Sequence, residues 1–484
     1  MTPDKEKQLL QGIYDRLFQL ITYEPDGSHI NPFTKKETFI HFAKNEALEP
    51  SAFKGMWTPT NVNADLGASE LFANMVDKVS TLSLEWVPKD QPLSETYKSI
   101  VDGMNEAASA RPSDAAVAAY DKANAYLSVE EKNPFDAKAP ATTAPSPEYV
   151  AYQKNLDELT GAYADYQSAY NDFVDAVADA ETAKDDNAKR KAQRDWNASE
   201  KSLRRDITRA QTAVTAGNGK WVQMALDTMN STINDAFSRA LELAKAKVAG
   251  DQFNASGAPS GSPWLLTYGT PVNWHDPSGD ANFSEFTITS DHKVDDSSTT
   301  SHAYNFGASY NAGLWGVKAE SEGKFEDKRH HMKGEKVAIS CKVAKVSIIR
   351  PWFSELLFRS DNWFTNLGAA DEKEYISNGQ LASSNADKVL PMYPVAFIVA
   401  KDITIEADFT EEDRTFISQA VSASASVSWG PFSVGGGYKY GNEKEHIETS
   451  LESGKLRIPG MQVIGWVSRV MPASPKKSRK DLGD

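Results

Sequence analysis

One cysteine, Cys341, stands among 484 residues, so no intrachain disulfide can brace this chain. It falls in the alternation Val337, Ile339, Cys341, Val343, where a small buried side chain is expected. No His or Asn pattern accompanies it that would make a reactive thiol. Long apolar runs are lacking too. No segment approaches the ~18 consecutive apolar residues of a membrane helix. The opening MTPDKEKQLLQG has neither the apolar core nor the small-residue cleavage site of a secretory signal. The chain is therefore expected to be cytoplasmic as synthesised and, if it acts outside the cell, to be released without such a signal. Basic residues are in deficit: 52 Lys and Arg against 67 Asp and Glu give a formal net charge of −15. That excludes a general nucleic-acid binder, whose affinity rests on neutralising phosphates, and leaves no global attraction to anionic lipid.

Catalytic patterns are equally scarce. The eight histidines are scattered, and only His330 and His331 are adjacent, inside the charged stretch KFEDKRHHMKGEK. A solvated, pH-responsive turn is expected there, not a metal site. There is no H-E-x-x-H, C-x-x-C, G-x-S-x-G or Walker A pattern. Gly435-Gly436-Gly437 lies inside a strand pattern, where it permits bending or close backbone approach; it is not a phosphate loop. The expectation is a non-enzyme with no cofactor, no metal, no nucleic acid and no evident small-molecule substrate.

What the chain has is periodicity, and it points to an α+β fold with an N-terminal all-helical part and a C-terminal antiparallel β-rich part. Residues 1–135 read as a helical domain, opened by Leu9, Leu10, Ile13, Leu17, Leu20 and Ile21 at helical spacing. A Pro/Ala/Thr stretch (136–147) follows. Residues 148–249 then read as a long antiparallel helical bundle or stalk. Its first helix carries Tyr149, Tyr152, Leu156, Leu159, Tyr163, Tyr166, Tyr170, Phe173 and Val177, spaced alternately three and four. The tyrosine hydroxyls need partners, so this seam is expected to be half-buried. A third helix is expected to run unbroken from Val222 to Ala244. From 264 to 472 the chain reads β. Pro394–Ile405 is a central strand, and the alternation of Val337–Ile349 changes phase near Ala344, as a bulge would cause. Residues 473–484 read as a disordered tail.

Two clean two-residue alternations stand out in the β part. The first places Tyr304, Phe306, Ala308, Tyr310, Ala312 and Leu314 on one face, breaks at Trp315-Gly316, and resumes at Val317. The second places Val421, Ala423, Ala425, Val427 and Trp429 on one face against Ser422, Ser424, Ser426 and Ser428. It breaks at Gly430-Pro431 and returns as Phe432, Val434, Gly436, Tyr438 and Tyr440. Both read as amphipathic β-hairpins, over 302–325 and 416–440. Their apolar faces are rich in Ala, Gly and aromatics, which leaves them wanting a partner surface. The residues expected to contact membrane or a second subunit are Tyr304, Phe306, Tyr310, Leu314, Trp315, Val317, Val421, Ala423, Ala425, Val427, Trp429, Phe432, Val434 and Tyr438.

Each alternating arm is near the ~9–11 residues that span a bilayer as a tilted strand. Two such hairpins in one chain resemble the layout of perforin-like and cholesterol-dependent pore formers. No signature motif of either family accompanies that layout. The expected function is a pore-former-like homo-oligomer with a lipid membrane as partner. The alternative is a cytosolic self-assembling scaffold, a ring, tube or filament that uses the same hairpins for subunit contacts.

Overall fold

The computed structural model describes residues 1–23, 31–61, 63–108, 110, 112–133, 135, 141–250, 252–253, 264–290, 313–321, 324–367, 372–421, 426–441 and 445–482. Its helices are α1 (Pro3–Thr22), α2 (Leu66–Val76), α3 (Leu93–Gly103), α4 (Asp114–Leu127), α5 (Pro147–Thr182), α6 (Asp186–Thr215), α7 (Asn218–Thr232), α8 (Phe237–Gly250) and α9 (Glu411–Val421). With the antiparallel sheets they make an α+β fold.

The tyrosine seam becomes α5, 36 residues long, started by Ser146, whose side chain accepts from Tyr149 N, and by Pro147 in the first turn. Asp185 caps α6 through Asn187 N and Ala188 N, and α6 runs back along α5. The contacts Tyr170–Trp196, Tyr166–Arg204 and Tyr163–Gln211 descend one helix as they climb the other. The hydroxyls find partners as required: Tyr163 and Tyr166 accept from Gln211 and Arg204, and Tyr152 donates to Gln223 at 2.8 Å. The expected third helix is split into α7 and α8. Asn234 sits in the break, where its side chain accepts from Ser360 Oγ and Asp361 N and its carbonyl from Asn362. Those long-range bonds take the place of helix continuation. Gly161 lies midway along α5, and a Cβ built there meets nothing within 4 Å. An interior helical glycine with free space around it weakens the helix. Gly161→Ala is therefore expected to raise stability by about 1 kcal/mol, read as a shift of the urea midpoint at constant m.

The main sheet is built from β1 (Thr38–Phe42), β2 (Tyr268–Thr270), β3 (Ser284–Thr289), β6 (Val337–Ile349), β7 (Met392–Ala407), β10 (Ser450–Glu452), β11 (Lys455–Ile458) and β12 (Gln462–Val470). A second, four-stranded sheet holds β4 (Trp315–Ser321), β5 (Lys324–His330), β8 (Ser426–Trp429) and β9 (Phe432–Gly435). The main sheet is antiparallel throughout. At one end the order is β1–β12–β7–β6–β2; at the other, β10–β11–β7–β6–β3. The expected central strand is β7, paired on both sides along its length. The apparent phase change in β6 has a cause other than a bulge. Val337, Ile339, Cys341 and Val343 face a core shared with α1, whereas Ala344, Val346 and Ile348 face a different core shared with α2 and Trp274. The strand keeps its alternation while the covered face of the sheet changes. A bulge does exist nearby, on the partner strand: Ser340 pairs with Thr404 but Lys342 with Lys401, and Asp402 takes a positive φ of 53°.

Two expectations about the ends of the chain are corrected. Residues 1–48 do not stay with the helices expected over 1–135. The fully buried run TFIHF, rich in aromatic and β-branched residues, forms β1 on the edge of the main sheet, and α1 packs into that sheet's core. The expected tail is also ordered over 473–482. Ser474 bridges to Ser377, Lys476 pairs with Asp361 at 2.6 Å, and Leu482 is buried.

Candidate functional site

Both alternating regions are insertions into one end of the main sheet. β3 ends at Thr289 and β6 begins at Val337; β7 ends at Ala407 and β11 begins at Lys455. The register sets these four points side by side: Thr289 opposite Ala338, Val337 opposite Ala407, and Glu406 opposite Lys455. Residues 290–336, between β3 and β6, and residues 408–449, between β7 and β10, therefore leave the main sheet at neighbouring strands.

The two insertions pair with each other. β4 lies beside β8, with Trp315 opposite Trp429 and Val317 opposite Val427. The second hairpin turns where the sequence indicated, at Gly430-Pro431, joining β8 to β9; Gly430 has φ +55°. The first does not. Trp315 and Gly316 lie inside β4, and the strand pairs with β5 across residues 322–323, with Ser321 opposite Lys324. His330 accordingly ends a strand and is not in a solvated turn; its ring lies 4.6 Å from Phe416, and His331 Nδ1 is 2.6 Å from Glu6. Val421 is corrected as well. It ends α9, a helix started by a reciprocal cap between Thr410 and Asp413. Tyr304, Phe306, Tyr310, Ala423 and Ala425 lie outside the described residues.

The remaining candidates are packed inward. Leu314, Trp315, Val427, Trp429, Phe432 and Val434 are buried in one cluster with Leu9, Leu10, Ile13 and Leu17 of α1 and with Ile339 and Ile405 of the main sheet. Val317 and Tyr438 are partly buried against it. That apolar face is thus covered within the chain: Trp315 stacks on Phe416 of α9, while Leu10 of α1 lies against the Gly430 turn. The serine face is covered too: Ser428 and Ser433 are buried, and Glu46 N donates to Ser433 Oγ at 3.1 Å.

Three buried acids tie the insertions down. Glu6 of α1 accepts from Met332 N and contacts His331, while the Met1 ammonium donates to the Met332 and Lys333 carbonyls at 3.1 and 2.9 Å. Glu46 accepts from Lys439 and, at 2.7 Å, from Trp466 Nε1. Asp413 accepts from Trp315 Nε1 at 3.0 Å, Lys333 N and Gly334 N at 3.3 Å, and Thr410 N at 3.0 Å. It thereby joins the second insertion to both β4 and the C-terminal end of the first. None of these three acids is among the residues that the sequence singles out. The Thr410-x-x-Asp413 pattern was a readable signal for the α9 cap, but nothing local marks Glu6 or Glu46.

Among the described residues no group of three or more His, Cys, Asp or Glu is placed to hold a metal ion, and no helix is long and apolar enough to cross a membrane. Cys341 is buried, and burial pushes its thiol well above the ordinary range. Comparison with protein-family models, curated proteins and solved structures returns no match for this chain.

Proposed function

We propose that this chain is a non-enzymatic, oligomerising protein that inserts two amphipathic β-hairpins, within residues 290–336 and 408–449, into a lipid membrane. The observation that carries the reading is the placement of the insertions. They leave one sheet at neighbouring strands, and each carries two alternating arms. Drawn out as continuations of β3, β6, β7 and β10, the hairpins would have arms of about 21 to 23 residues. At ~3.3 Å per residue such arms reach about 70 Å, ample for a ~30 Å apolar layer. The small sheet seen here is then a stowed form, its apolar face covered by α9 and bordered by α1. Backbone groups enter lipid only when all are paired, so insertion requires several copies closing a barrel.

The test is dye release from neutral and anionic liposomes between pH 5 and pH 8, with wild type and Ala425→Asp. Wild type is expected to release dye. The aspartate on the apolar face should abolish release while circular dichroism and the thermal midpoint of the soluble chain stay within error. Leakage that survives Ala425→Asp contradicts insertion of this face. Absence of leakage under every condition, together with rings or filaments formed in lipid-free buffer, replaces this reading with the scaffold.

A further inference from the structure

A cavity of about 1030 Å³ opens where α5 and α6 meet α1 and the main sheet, away from the paired hairpins. Its size is that of a pocket for a whole small ligand. Apolar side chains dominate the walls, among them Leu17, Leu20, Val343 and Ile398. Most of the charges that line it are already matched. Lys345 and Asp157 pair at 3.4 Å with side chains 9% and 13% exposed, Lys154 pairs with Glu158, and Arg209, 80% exposed, pairs with Asp206 at 3.3 Å. Asp165 is different. It accepts from Ser284 Oγ at 2.7 Å, and among the described residues no Lys or Arg forms an ion pair with it. Although it stands at the mouth, its surroundings raise its pKa: burial pushes it up, the Ser284 hydroxyl pulls it back, and the Asp206 charge raises it again. A negative mouth above an apolar chamber is complementary to a cation with an apolar tail.

Gly161 gives a second, independent observation. It lies on the cavity wall, its missing side chain would clash with nothing, and α5 would be a better helix with any ordinary residue there. Packing gives no reason for glycine, whereas an open chamber does.

We infer that this cavity binds an amphipathic primary ammonium, with its hydrocarbon tail among the apolar walls and its head at Asp165. The site is separate from the hairpins and does not depend on the membrane reading. Titration calorimetry on the full chain tests it with decylammonium, decanol, decanoate and butylammonium, each below its micellar concentration. Decylammonium is expected to bind one per chain, at least about ten-fold more tightly than the other three. Asp165→Asn should weaken it by about ten-fold or more. Gly161→Leu should abolish binding while raising the melting temperature, which separates a filled chamber from a misfolded chain. Equal or tighter binding of decanol or decanoate, unchanged affinity in Gly161→Leu, or no binding of decylammonium overturns the inference.

Discussion

Acidification from pH 7 to pH 4 is expected to remove about 3 kcal/mol of folding stability through one side chain, His41. The residue is wholly buried in β1, with Nδ1 2.6 Å from the Ser83 carbonyl and Nε2 2.9 Å from Ser468 Oγ. Its ring packs against Phe39 and Trp86. Burial lowers its pKa from 6.5 to about 4, against a smaller upward pull from the Ser83 carbonyl. Above pH 6.5 the ring is neutral in both folded and unfolded chains and contributes no pH dependence. Between 6.5 and 4 the unfolded chain takes up the proton and the folded chain does not, so the folded state loses ground as pH falls. Below about 4 both are charged and the loss is complete. Urea unfolding of wild type and His41→Gln at pH 7, 5.5 and 4 isolates the effect. The variant starts less stable but should fall less steeply over this window. Parallel curves for the two proteins would contradict the assignment.

Asp413→Ala is expected to cost about 3–5 kcal/mol, more than a surface carboxylate could. The side chain is fully buried and accepts from one indole and three backbone N–H groups. Removing it orphans all of them together, in two different insertions. Asp413→Asn keeps the shape and one acceptor oxygen, so it should be intermediate. Because the contacts lie between the insertions and not within the main sheet, the loss should be local. Amide exchange should quicken in β4, β8 and α9 while β6 and β7 keep their protection. If the insertions are stowed hairpins, the alanine variant should also release liposome dye faster than wild type. A cost below about 1 kcal/mol, or uniform loss of protection, would show that Asp413 is not a clamp.

What could be read from the sequence was whatever repeats along a single element. The 3-4 tyrosine spacing located α5, and the unbroken apolar run located β7, because each reports a local period that burial then enforces. The second hairpin was legible because Gly430-Pro431 separates two alternations in a single place. The first was not, because 304–314 and 317–325 alternate equally well, and the pairing of Trp315 with Trp429 across the insertions selects the turn. The α7–α8 break depends on Ser360, Asp361 and Asn362, more than a hundred residues away. The phase change in β6 was a correct observation with the wrong local explanation, since the covered side of a sheet is set by what docks on it. The docking of α1 was illegible for the same reason: its apolar stripe announces burial without naming the surface. Of the cavity, only Gly161, an unexplained glycine inside a strong helical pattern, stood in the sequence as a sign.

The most direct measurement is a cysteine scan of residues 421–429 in a Cys341→Ser background, each labelled with an environment-sensitive dye and mixed with liposomes. Insertion predicts a two-residue rhythm: blue-shifted emission at 421, 423, 425, 427 and 429, and aqueous emission at 422, 424, 426 and 428. The same emission at neighbouring positions, or spectra unchanged by lipid, would contradict the claim that these segments are stowed membrane hairpins.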